Sequence, residues 1–199
     1  MVYPKDFSDL IESFKLLPGV GDKSAERFVY SVDEMSDEDV QNFSENLKKF
    51  KKNIKKCEIC GHYTSNNICD ICADKSRELS TICVVEDSKS VFKFETSEKY
   101  KGLYHVLGGL ISPIDDINPE NLNIDNLISK RLNDNVKEII IALTPSIEGE
   151  TTSLYLQKLL ENKKVKISRL SYGLPMGSDI EYLDPITLAK AIDDRKVVS

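Results

Sequence analysis

With 199 residues, 40% of them hydrophobic and 30% charged, the chain is long enough for one sizeable core or two modest ones. No apolar run approaches the ~20 residues of a membrane span, and the start, Met1-Val-Tyr-Pro-Lys-Asp6, lacks the apolar stretch of a secretory signal. A net charge of −6 argues against a uniformly basic nucleic-acid binder, but the signs are segregated: an acidic stretch, Asp33 to Asp39, precedes a run from Lys48 to Lys56 with six lysines in nine residues and no acid.

Residues 9–17 place Leu10, Phe14 and Leu17 at i, i+4, i+7, the spacing of one helical face. Pro18-Gly19-Val20-Gly21 stops that helix, and a second is predicted from Lys23 through Tyr30. The pattern is helix, Gly-x-Gly hairpin, helix. Gly19 and Gly21 let backbone amides approach a ligand with no Cβ in the way, and those amides sit at a helix N-terminus, where the macrodipole favours phosphate. Lys23 and Arg27, four residues apart, face the same side. Such a helix-hairpin-helix grips DNA phosphates without reading bases. The plainer alternative is a packed helical hairpin with no ligand. A P-loop is rejected, because Asp22 rather than glycine precedes Lys23 and a helix rather than a strand precedes the loop. Residues 37–56 read as a third helix whose stripe, Val40, Phe43, Leu47 and Phe50, suits a core or a subunit contact. The lysine run taken alone reads as a solvated helix face.

Next comes Cys57-Glu-Ile-Cys60, eight residues, then Cys69-Asp-Ile-Cys72. Two CxxC knuckles this close converge four thiolates on one tetrahedral Zn²⁺, and an all-sulfur site keeps no open position for water or substrate, so the metal is structural. Disulfides need an oxidising compartment, and a redox site needs one CxxC rather than two. His62 is expected to be a loop residue rather than a ligand. Cys83 is left over in an apolar run, as a buried thiol.

After a charged link, Asp74 to Ser80, the period changes. Strands are predicted at 82–86, 103–107, 138–143 and 165–170, with a helix over 151–161 between the last two. Strand, helix, strand in that order implies a parallel sheet. A short helix is expected from Pro185, which suits the first helical position after Asp184. In open parallel sheets, sites form at the C-terminal ends of strands. There Glu86 closes the first strand, and Glu148-Gly149-Glu150 follows the third in what reads as a loop. Together these carboxylates suit a hard cation such as Mg²⁺; the alternative is three solvated acids.

These motifs in combination resemble the RecR family of bacterial recombination mediators. The resemblance covers nearly the whole chain. It rests on Leu17-Pro-Gly-Val-Gly-Asp-Lys-Ser-Ala25, the four cysteines, Tyr104-His-Val-Leu-Gly-Gly109, Glu148-Gly-Glu-Thr151 and Gly173-Leu-Pro-Met-Gly177. Thr144-Pro145 stands where the family commonly has Asn-Pro. The resemblance implies an α+β multidomain chain: a helix-hairpin-helix region at 1–56, a zinc finger at 57–72, a Toprim domain with a mostly parallel sheet at 80–175, and a tail at 176–199 serving as an oligomer contact. In the Toprim domain Glu86 would be the signature glutamate, with Glu148 and Glu150 the acid pair. It further implies a cytoplasmic, nucleoid-associated protein that self-associates to a dimer or tetramer ring, clamps DNA without sequence preference, and works with RecO, and in many bacteria RecF, to load RecA. No enzyme activity is expected. The rival is a Mg²⁺-dependent Toprim nuclease or primase-like enzyme. It lacks an evident nucleophile: Tyr104, Tyr155, Tyr172 and Tyr182 sit in no recognisable motif, and His105 lies in an apolar strand, where a core role is expected.

Overall fold

The computed structural model describes residues 3–171, 173–174 and 177–197. Tyr172 and the Pro175-Met176 pair of the glycine-flanked motif lie outside the described residues. Residues 1–54 and 55–199 form two compact units.

The first unit holds three helices, α1 (Lys5–Lys15), α2 (Asp22–Asp33) and α3 (Asp37–Asn53). The first two form the predicted hairpin. Phe14 and Phe28 meet edge to face at 5.4 Å, Phe7 and Tyr30 at 5.2 Å, and Ala25 and Val29 are buried between the helices. Leu17, expected on the inner face, falls past the end of α1 and is half exposed. In α3, Ser36 accepts the Asp39 amide, acids occupy the first turn, and Lys51 and Lys52 occupy the last, which matches the helix dipole at both ends. The helix stops at Asn53 rather than Lys56, because Lys55 and Lys56 extend into a strand. The stripe Val40, Phe43, Leu47 and Phe50 is exposed throughout, so it is no core within this unit.

The second unit opens with a small antiparallel pair, β1 (Lys55–Lys56) and β2 (Tyr63–Thr64), and a single helical turn, α4 (Asp70–Ala73). A four-stranded sheet follows: β3 (Thr81–Val85), β4 (Leu103–Val106), β5 (Glu138–Ala142) and β6 (Lys166–Arg169). It is parallel throughout, in the order β4-β3-β5-β6. Side chains alternate faces along each strand. Ile82, Val84, Ile139 and Ile141 meet Leu156 and Leu160 of α7 (Ile147–Leu160) on one face. Cys83, Val85, Tyr104 and Val106 meet Val91 of α5 (Ser88–Thr96) on the other. Both faces are therefore covered, which is why the strands read as continuous apolar runs. Between β4 and β5 the chain makes a turn of 3-10 helix at Pro119–Asn121, a short α6 (Ile124–Asn126), and a wide turn from Leu127 to Arg131, closed by the Leu132 amide on the Leu127 carbonyl. The terminal helix α8 (Pro185–Asp193) starts where expected, with Asp184 accepting the Ile186 and Thr187 amides.

The charged link is pinned: Arg77 makes a bidentate pair with Glu95 at 2.7 and 2.9 Å and donates to the Gly102 carbonyl. One segment departs from the sequence reading. Helix α7 begins at Ile147, so Glu148 and Glu150 stand in its first turn and not in a loop. Gly149 does not serve to aim them. A Cβ there would lie 1.8 Å from the Thr144 carbonyl oxygen, so glycine is what lets the helix seat against the end of β5.

Candidate functional site

The four cysteines converge. Cys60 and Cys69 have sulfurs 3.6 Å apart, Cys57 and Cys72 3.9 Å apart, and all four lie within 4.8 Å of one another. A tetrahedron of Zn–S bonds near 2.3 Å has edges of about 3.8 Å, whereas a disulfide would bring two sulfurs to about 2.05 Å. The set therefore fits zinc. Two amides, of His62 and Cys69, point at the sulfurs of Cys60 and Cys57 from 3.4 Å. Hydrogen bonds from Cys60 and Cys72 pull the pKa of the Cys69 thiol down to about 2. Hydrogen bonding to Cys69 pushes Cys60 the other way. His62 is no ligand. Its ring is buried, edge-on to Phe92 at 4.9 Å.

In the helical hairpin, Gly19 has φ +81°, a left-handed conformation that glycine adopts without strain. Gly21 precedes α2 as its cap and offers no side chain, so the first amides of the helix keep their hydrogens for an outside acceptor. A Cβ at Gly21 would touch nothing within 4 Å, and its φ of −92° is open to any residue. Nothing inside the unit requires glycine there; the space it leaves faces outward. Lys23 and Arg27 are exposed on the same helix. Lys15, which sequence reasoning missed, bridges the hairpin. Its ammonium lies 2.8 Å from Asp22 and 2.9 Å from Glu12. This holds the Asp22 carboxyl below its usual range and raises Lys15 to about 12. The pairing offsets the one acid that would oppose a phosphate at this helix start.

The third group is spread along the ends of the strands. The strand order reverses direction between β3 and β5, the switch point where open sheets form their crevice. Glu86, one residue past β3, accepts a hydrogen bond from Thr144 across this point at 2.7 Å. A cleft of 620 Å³ opens beside them, walled by Lys89, Lys93 and Phe94. Glu150 points to other partners: Arg169 at 2.9 Å and Lys190 of α8 at 3.4 Å. Among the described residues, the cysteines are the one set of three or more His, Cys, Asp or Glu side chains with ligand atoms within 4.8 Å of each other. Glu86, Glu148 and Glu150 do not gather in that way.

The remaining candidates are interior. Tyr104 is buried and donates to Glu95 at 2.7 Å. His105 is fully buried, with Nε2 2.6 Å from the Asn123 carbonyl, and burial pushes its pKa down to about 4. Burial raises the Cys83 thiol to about 12. None is placed for chemistry. Among the described residues, no helix is long and apolar enough to cross a membrane.

Comparison with known proteins matches the chain in four segments. Residues 7–51 match the family described as RecR, helix-hairpin-helix; 54–74 match the RecR zinc finger domain with four cysteine ligands; 80–171 match Toprim domain; and 173–196 match RecR, C-terminal. The chain is 47% identical over 195 residues to proteins named "Recombination protein RecR" from Staphylococcus aureus strains Newman, COL and MW2, covering 98% of each chain. With four segments matched in order and a near end-to-end relative at that identity, the chain belongs to the RecR family of recombination proteins.

Proposed function

We propose that this protein is a DNA-binding mediator of recombinational repair, acting in the bacterial cytoplasm at the nucleoid and performing no chemistry of its own. One observation carries the reading: an uncapped helix start behind Gly19 and Gly21, with Lys23 and Arg27 exposed beside it and Asp22 offset by Lys15. That arrangement holds phosphates and makes no provision for reading bases. In this reading several copies assemble into a ring that clamps DNA. The ring cooperates with RecO, and with RecF where present, to load RecA on single strands coated by single-strand-binding protein. The Toprim carboxylates serve as a charged docking surface for a basic partner. Glu150 already pairs with Arg169 and Lys190, which argues against a Mg²⁺ site and leaves Glu86 and Glu148 to carry the docking charge.

The test is a gel shift on gapped duplexes, with and without the RecO partner. Lys23→Ala and Arg27→Ala are expected to weaken binding to all DNA sequences alike, each lowering the log–log salt slope by about one. An effect confined to one DNA sequence would contradict phosphate gripping. Incubation with plasmid and single-stranded DNA in Mg²⁺ or Mn²⁺ separates the rival enzyme: nicking or synthesis that disappears in Glu148→Ala would overturn the mediator reading.

A further inference from the structure

Arg131 is 59 residues from Cys72 in the chain, yet its Nη2 donates to the Cys72 sulfur at 2.9 Å and to the Tyr104 carbonyl at 2.7 Å. The residue is 6% exposed. It ends the wide turn Leu127–Arg131, a five-residue closure of a kind that is rare and frequent at functional sites. A guanidinium that deep is costly unless an opposite charge meets it. Among the described residues no carboxylate forms an ion pair with it. What it meets is sulfur. Four thiolates around Zn²⁺ carry a net charge of about −2, and a buried cation at hydrogen-bond distance from one of them offsets part of that charge. Its neighbour Lys130 donates to the Glu58 carbonyl inside the first knuckle at 2.9 Å, and the Val106 amide of β4 donates to the Cys60 carbonyl at 2.7 Å. The cysteine cluster is therefore bound to the edge strand β4 from both knuckles, and Arg131 touches a sulfur and that strand with the same group.

We infer that Arg131 is a positioning residue of the metal centre: it offsets the charge of the thiolates through Cys72 and couples metal retention to the edge strand of the Toprim sheet through the Tyr104 carbonyl. A hydrogen-bond donor on a ligating thiolate orients the ligand and draws electron density from it, and losing such an outer partner weakens metal binding by roughly 10–100-fold.

The experiment uses the full chain. Zinc per chain is measured in wild type first; absence of zinc in reduced, purified protein would refute the centre and the role of Arg131 with it. Wild type, Arg131→Gln and Arg131→Lys are then challenged with a chromophoric zinc chelator, and each is loaded with Co²⁺ to read the thiolate-to-cobalt charge-transfer band. Arg131→Gln is expected to release zinc roughly 10–100-fold more readily and to move the band to longer wavelength, because the thiolate electrons are no longer held by a nearby cation. Arg131→Lys keeps the charge and loses the fork, and falls between. Arg77→Lys, at a partly buried arginine paired with Glu95, controls for general destabilisation and leaves the cobalt band in place. If Arg131→Gln does not fold, Arg131→Lys decides alone. Zinc release and cobalt band equal to wild type, in a chain full of zinc, would overturn the assignment.

Discussion

The two compact units bury apolar side chains to very different extents. In residues 55–199, the sheet is covered on both faces, and Ile82, Leu127, Ile139, Leu156 and Leu160 are wholly enclosed; each such side chain contributes about 1.5–3 kcal/mol relative to exposure. In residues 1–54, Ala25 and Val29 are the buried side chains among the described residues, while Leu16, Tyr30, Leu47 and Phe50 stand half exposed or more. A helical unit this short cannot enclose much. It presents aromatic and aliphatic faces instead, as a subunit contact would. The larger unit adds a device that the smaller lacks, a four-cysteine centre joined to its edge strand.

The comparison makes the metal the first place to strike. Cys57→Ser or Cys72→Ser should release zinc and lower the stability of the second unit by several kcal/mol, since metal binding in such sites is folding energy. Elemental analysis alongside urea unfolding checks this; less than about half a zinc per chain in the wild type would remove the device from the comparison.

The interior of the sheet should also respond to acid. His105 is held near 4, below its ordinary 6.5, by burial. The native state stays neutral at a pH where the unfolded chain takes up a proton. Its share of stability is therefore whole above about 6.5 and is lost as pH falls toward 4, by about 3 kcal/mol at the most. Unfolding free energies of wild type and His105→Gln, measured across that window, should converge toward the acid end; parallel curves would show that His105 is not responsible.

A smaller effect is expected at the seat of α7. Gly149→Ala places a methyl against the Thr144 carbonyl and should cost about 1–3 kcal/mol. Thermal unfolding measures it, and an unchanged midpoint would mean that the end of β5 gives way freely.

The smallest stability effect belongs to the first unit. Leu47→Glu with Phe50→Glu should change monomer stability by no more than about 0.5 kcal/mol, since both side chains are exposed. The same pair should shift sedimentation toward smaller species if the stripe is a subunit contact. Loss of the helical signal in this variant would mean the stripe is internal after all, and the contrast between the units would fall.

What the residues determined by themselves was local. The zinc ligands were legible because each CxxC knuckle is a short chain segment, and coordination chemistry restricts what two of them can do together. The hairpin was legible from Gly19 and Gly21 followed by Lys23 and Arg27, since glycine freedom and helix phase act within a few residues. The strands were legible because burial on both faces leaves continuous apolar runs. Tertiary structure alone decided the rest. Arg131 reaches Cys72 across 59 residues, Thr144 reaches Glu86 across 58, and Lys190 reaches Glu150 across 40. No periodicity carries information over such separations, so a charge that finds its partner by folding looks, in the sequence, like a solvated one. The α3 stripe makes the same point: helical spacing shows which side chains share a face, but whether that face is covered depends on how much surface the unit can enclose.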